Sequence, residues 1–339
     1  MSDLLPIFAF IALCVIYGTS YAFVSTIIGS MNDAALSCMR MFCSSCATFS
    51  YFLYRIIFEP NYKQKVRESV RTGTTPIGKA FFCGIFSLGI PVTCITIAQR
   101  SVPSTVVTLS QPVIPLVTMV IAHFLLADEK ISSQKLILSL FDLLGAVLTI
   151  IPTFSSSSSN DSKPSLLLDY LLLMISILCF GAGSVYLKVF LCQAELTVSC
   201  LCSTLGATAY TIISSMIRVG PITLFHYIME TPAKLKFYTM LLGIIYSSIP
   251  TFLFMFIVRT LGAVKANLTD FGQIVIGTFA GVVFLDEMKG YSLTDKLMSW
   301  AGVLLIVAAL LIEFYLDYRH EKESKLQDQE TLIKGEENW

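Results

Sequence analysis

Apolar runs long enough to cross the ~30 Å hydrocarbon core of a bilayer recur from one end of this chain to the other. "QRSVPSTVVTLSQPVIPLVTMVIAHFLLADEK", residues 99–130, is one of them. It is apolar or small almost throughout, carries Pro112 and Pro115, and stops at Asp128-Glu129-Lys130. A core helix of a soluble domain is apolar on one stripe only. The polar surface that a soluble fold needs is also missing: 14% of the 339 residues are charged and 55% are hydrophobic, against about 25% charged in soluble domains. The chain is a polytopic membrane protein.

Hydropathy predicts ten spans, at 4–28, 34–58, 80–99, 102–127, 134–152, 166–192, 196–217, 237–258, 263–285 and 293–316. Three connections are longer than the rest. Residues 59–79 are basic, with Lys63, Lys65, Arg67, Arg71 and Lys79; residues 153–165 hold the Ser155–Ser159 run, a flexible linker. Residues 218–236 read as an interfacial segment. The first span exceeds a signal-peptide core and shows no clear small-residue cleavage site, so it is read as retained.

Lysine and arginine placement sets the orientation. A cytosolic N-terminus puts the 59–79 loop, Lys130, Lys135, Arg259 and the tail Arg319, Lys322, Lys325 and Lys334 inside. Arg100, Lys163, Arg218, Lys234, Lys236, Lys289 and Lys296 then lie outside, a bias clear in the first half and weak in the second. The Asn160-Asp161-Ser162 sequon falls outside, open to glycosylation or simply a solvated linker. "DQETLI", with Asp328, Leu332 and Ile333, resembles an acidic dileucine sorting signal and falls in the cytosol, where adaptors would read it; a plain tail is the other reading. The membrane is the plasma membrane or an endolysosomal or vesicular one.

The 99–130 stretch has a counterpart in "VRTLGAVKANLTDFGQIVIGTFAGVVFLDEMK". Arg100 matches Arg259, Asp128-Glu129 matches Asp286-Glu287, and Gly145 matches Gly302, with the offset drifting only from 159 to 157 residues. Equivalent spans are five apart, an odd number, so the two copies are inverted in the membrane. Inverted repeats give transporters two related states around a site near the midplane. The predicted fold is an all-α membrane protein of ten transmembrane helices in two inverted five-helix repeats, 4–152 and 166–316, joined by the 153–165 linker and followed by a charged cytosolic tail, 317–339.

"YGTSYAFVS" (Tyr17–Ser25), "AALSCMRMF" with Arg40, "LSQPVIPLVT" followed by Asp128-Glu129, and "GAGSVYLKVF" with Lys188 occur in an order that resembles the EamA type of the drug/metabolite transporter superfamily. The resemblance covers about residues 8–316. It implies ten helices in two repeats and a central cavity lined by the fourth and ninth. Departures stand at Ser25, where the family carries Lys, at Ser203, near a family Arg, and at Asp128 and Asp286, where the family has Gly before Glu. They bear on substrate class rather than fold.

Pro112 has no N–H and frees a carbonyl around Thr108, which in hydrocarbon calls for another helix, a side chain or cavity water. Such a break suits a helix that lines a path, although a packed kink would look the same. A charge inside a span costs about 2.5–3.5 kcal/mol on insertion scales and therefore faces protein or water. Asp270 lies about two turns into the ninth span with Asn267 and Gln273 on its face, and it aligns with Gln111 of the first repeat. Gln111, Pro112, Asn267, Asp270 and Gln273 are the candidate substrate or proton pathway, the alternative being a helix–helix hydrogen-bond network. Lys188, Arg40 and Lys265 join them as candidates that also read as snorkelling side chains. Asp142, mid-span with no local partner, points to an interhelical bond, and Asp128-Glu129 reads as a helix boundary at the headgroups.

Cys43-Ser44-Ser45-Cys46 has redox spacing but lies in a span, and all ten cysteines read as small apolar packing. His123, His226 and His320 are scattered with no second ligand at metal spacing. No nucleophile arrangement or Gly-rich phosphate loop occurs, and neither a cofactor nor a nucleic-acid partner is called for. The reading is a non-enzymatic secondary carrier or facilitator that moves a small organic metabolite by alternating access. The alternatives are a nucleotide-sugar or phosphorylated-metabolite exchanger of the same superfamily and, from another class, a non-transporting scaffold or membrane-embedded enzyme. Its partners are the substrate, the lipid bilayer and sorting adaptors, with a homodimer left open.

Overall fold

The computed structural model describes residues 4–102, 107–108, 110–127, 129, 132–156, 166–284 and 292–336. Asp128, Asn160, Asp286 and Glu287 fall outside these, so the sequon, Asp128 of the first acidic pair and the whole of the second pair are not placed. All regular structure among the described residues is helical: α1 Leu5–Ile28, α2 Asp33–Phe58, α3 Tyr62–Arg71, α4 Ile77–Ala98, α5 Val113–Leu125, α6 Ser133–Ser156, α7 Leu166–Leu191, α8 Leu196–Val219, α9 Pro221–Glu230, α10 Ala233–Leu261, α11 Ala263–Asn267, α12 Thr269–Phe284 and α13 Leu293–Glu336. Six of these helices contain stretches long and apolar enough to cross a bilayer, and shorter apolar helices lie in α1 and α5. Large apolar side chains such as Phe124, Leu167, Ile217 and Leu304 point outward, as a lipid solvent requires. The short α3 and α9 occupy the basic loop and the segment read as interfacial. Backbone helix continues past the predicted end of the last span, so Asp328, Leu332 and Ile333 lie on α13, their side chains outside the description.

The antiparallel relation of α2 and α8 follows from their end contacts. Asp33, opening α2, pairs with Arg218 at the end of α8 and with Arg100 at 3.1 Å. At the opposite end of α2, Arg55 pairs at 3.0 Å with Glu195, the N-cap of α8, while Arg259 Nη1 donates to the Ala194 carbonyl at 2.8 Å. About 33 Å of helix separates Asp33 from Arg55. Between the two charge clusters, hydroxyls join apolar contacts such as Met41 with Ala207: Ser45 and Thr208 meet at 2.7 Å, and Thr208 Oγ1 donates to Met41 O at 2.8 Å. Small polar side chains allow this close helix approach in lipid.

Close approaches recur with the spacing read from the sequence. A Cβ on Gly84 would lie 1.8 Å from the Ser203 carbonyl oxygen, and one on Gly243 would lie 2.6 Å from that of Arg40. Gly145 and Gly302, where α6 crosses α13, would each meet the other's carbonyl oxygen, at 2.8 and 2.5 Å. Helices α4 and α10 repeat one irregularity as well: a π-helical turn at Ile85–Gly89 and at Ile244–Ser248, followed by Pro91 and Pro250. A proline cannot donate to the carbonyl four residues earlier, and a widened turn accommodates that loss. Arg40 exploits it: its Nη2 donates to Tyr246 O, the carbonyl facing the missing Pro250 N–H, at 3.2 Å, and its Nε donates to Ser247 Oγ at 2.8 Å.

Two sequence expectations are refined here. The predicted 102–127 span breaks before α5: Gln111 N–H donates to Thr108 O at 3.3 Å in a tighter turn, and Gln111 Nε2 to Val107 O at 3.2 Å. The carbonyl expected to be freed at Thr108 is thereby satisfied locally. Asp142 is fully buried near the buried Glu313 of α13, and neither of its oxygens finds a hydrogen-bond partner among the described residues, so the expected interhelical bond is not formed there.

Candidate substrate cavity

Two broken helices enclose the site. Opposite the Gln111 break, the ninth predicted span is broken between α11 and α12 at Leu268 without any proline. Asn267 Nδ2 donates back to Ala263 O at 3.0 Å, as Gln111 does to Val107 O, and Thr269 Oγ1 takes Ala266 O at 2.7 Å. Helix α1 lies directly against α12 because Gly18 and Gly272 carry no side chain. A Cβ on Gly18 would meet Gln273 O at 2.7 Å, and one on Gly272 would meet Cys14 Sγ at 2.4 Å. This packing fixes the rotation of α12 and turns its polar face inward.

The result is a cavity of about 70 Å³. Its polar lining is Tyr17, Ser87, Gln111, Ser184, Thr251, Asn267, Asp270 and Gln273; its apolar lining includes Leu88, Ile114, Phe180, Leu187 and Phe254. Asn267 is fully engaged, donating to Thr118 Oγ1 at 3.0 Å and accepting from Ser184 Oγ at 3.2 Å. Asp270 differs. Only 8% exposed, its carboxylate makes no hydrogen bond or ion pair among the described residues, and the Gln273 Nε2 one turn on is buried without a partner.

Four sequence candidates, Gln111, Asn267, Asp270 and Gln273, thus line one cavity, with Pro112 as the N-cap of α5 beside Gln111. The three cations do not join them. Arg40 is held by the π-helical turn of α10. Lys188 and Lys265 line a separate cavity of about 280 Å³ with Lys135, Gly262 and Glu129. Glu129 is more than a helix boundary: its carboxylate accepts the Ala263 and Val264 N–H groups at 2.8 and 2.9 Å, capping α11, and lies 3.9 Å from Lys188 Nζ. A carboxylate at a helix N-terminus meets both unpaired N–H groups and the positive end of the dipole. Gly262, at φ +99°, carries the chain into α11 where a side chain would strike Glu129. Sequence reasoning also passed over Tyr17, Ser87 and Ser184, although Tyr17 and Ser184 lie in motifs already singled out. Beyond the spans, a hydrogen bond from Arg55 holds the exposed Glu59 carboxyl below its usual range.

An all-helical bundle with apolar outer faces and a polar internal cavity is the architecture of a multi-pass membrane protein. Residues 4–151 match the EamA-like transporter family. The match bears out the resemblance to the EamA type of the drug/metabolite transporter superfamily. A solved structure titled only "Crystal structure of protein" is similar at 15% identity and a TM-score of 0.65, covering 93% of this chain and 98% of its own; that likeness concerns the fold alone. Among curated proteins none matches.

Proposed function

We propose that the chain is a secondary carrier or facilitator that moves a small organic solute by alternating access around the central cavity, with both termini in the cytosol. The observation that carries this reading is that the cavity is walled by the two broken helices at matching places in the two halves, each break backed by a side-chain amide. Irregular backbone at membrane depth is tolerated where it is buried in protein or lines a water-filled cavity, and inverted halves supply the two opposed openings. The exchange of phosphorylated metabolites or nucleotide sugars is the weaker reading, because no lysine or arginine lines the cavity among the described residues.

Cysteines placed at Gln111 and Gln273 test the proposal. Both react with aqueous thiol reagents and become protected when a transported solute is present. Reaction with lipid-soluble reagents alone would defeat it.

A further inference from the structure

We infer that the solute carried in this cavity is an organic ammonium compound with an apolar or aromatic body and an oxygen acceptor near its charge. The inference rests on the carrier reading and adds the substrate's chemistry. Asp270 brings the one formal charge in the described lining, and it makes no ion pair among the described residues: Lys188 and Lys265 line the other cavity, and Arg40 donates to Ser247 and Tyr246. A carboxylate enclosed away from water needs a partner, and an ammonium group supplies both charge and donors. One helical turn away, the unpartnered amide of Gln273 offers a hydrogen bond to an oxygen close to that charge. The remaining wall suits an apolar body: Phe180, Phe254 and Tyr17 provide rings, with Ile114 and Leu187 between them. Aromatic faces also attract alkylammonium cations. An anionic solute would meet Asp270 with like charge and find no counter-charge.

The test uses the full chain in nanodiscs with a reactive cysteine at Gln111. The probes are primary and quaternary arylalkylammonium compounds bearing an ether or hydroxyl oxygen, each beside its uncharged and carboxylate isosteres. Ammonium members slow thiol labelling while their isosteres do not, and Asp270→Asn weakens that protection by about tenfold or more, in line with one charge-assisted hydrogen bond. Asp270→Glu keeps part of it. Equal protection by the carboxylate or neutral isosteres, protection unaltered in Asp270→Asn, or no protection by any ammonium member would overturn the inference. The isostere comparison is made on the otherwise unaltered chain and stands even if Asp270→Asn misfolds. Uptake into proteoliposomes is read separately. Ammonium-selective protection without uptake defeats the carrier reading and leaves the site chemistry standing, whereas uptake of carboxylates alone defeats only the chemistry.

Discussion

Replacing Glu129 with glutamine tests whether the contact between α5's end and α11 seals the central cavity. The carboxylate accepts two backbone N–H groups, at 2.8 and 2.9 Å, and stands 3.9 Å from Lys188. Glutamine retains one acceptor and presents an NH₂ to the other N–H. One charge-assisted bond, worth about 1.5–3 kcal/mol, is lost. The Lys188 pair adds less than about 1 kcal/mol, because both side chains are partly exposed. A total near 2–3 kcal/mol shifts the balance between sealed and open forms by about 30- to 150-fold. With the cysteine at Gln111 as reporter, an impermeant maleimide applied from the Glu129 side of oriented vesicles reads the shift as a faster labelling rate. Gly262→Ala reproduces it, since its Cβ would lie 2.5 Å from Glu129 Oε1 at a φ of +99°. Unchanged rates in both variants, with the protein still monodisperse, would refute the sealing argument.

Gly84→Ala forces a Cβ to 1.8 Å from the Ser203 carbonyl and destabilises by about 1–3 kcal/mol or more, whereas Gly78→Ala, with nothing near its Cβ, is neutral; thermal unfolding in detergent separates the two. Asp33→Asn strips Arg218 and Arg100 of their shared carboxylate and costs on the order of 2 kcal/mol, less than a fully buried pair because both arginines are partly exposed; the same melting assay checks it. Leu332→Ala with Ile333→Ala moves the steady-state distribution toward the cell surface if adaptors read the tail, measured by surface biotinylation.

What could be read in advance divides along a physical line. Span length and apolarity are local properties, so the membrane fold was legible residue by residue. The repeated pattern was visible because Arg100 and Arg259, or Gly145 and Gly302, keep their spacing, and aligning the two stretches set Asp270 against Gln111, both of which line the cavity. Contacts across long separations left no such trace. Nothing near Glu129 announces that its partners are the N–H groups of Ala263 and Val264. The break at Leu268 has no proline to mark it. The π-helical turns did have a signal, in Pro91 and Pro250, but a proline one turn beyond a widened turn reads like any helical proline. That Lys188 and Lys265 line the other cavity could not be read in advance for a related reason: depth along a helix can be counted from sequence, whereas the direction a long side chain takes depends on what stands nearby, as Glu129 does for Lys188.

The pairing of α2 with α8 sets a condition on any motion of this protein. The two helices are clamped by opposite charges at either end and stitched by hydroxyls between, so sliding or splaying them would break every fastening at once. They behave as a keel. In the proposed carrier, whatever rocks to admit a solute from one side or the other would pivot around that pair, and the compliant parts would be the helices whose hydrogen-bond ladders are already interrupted.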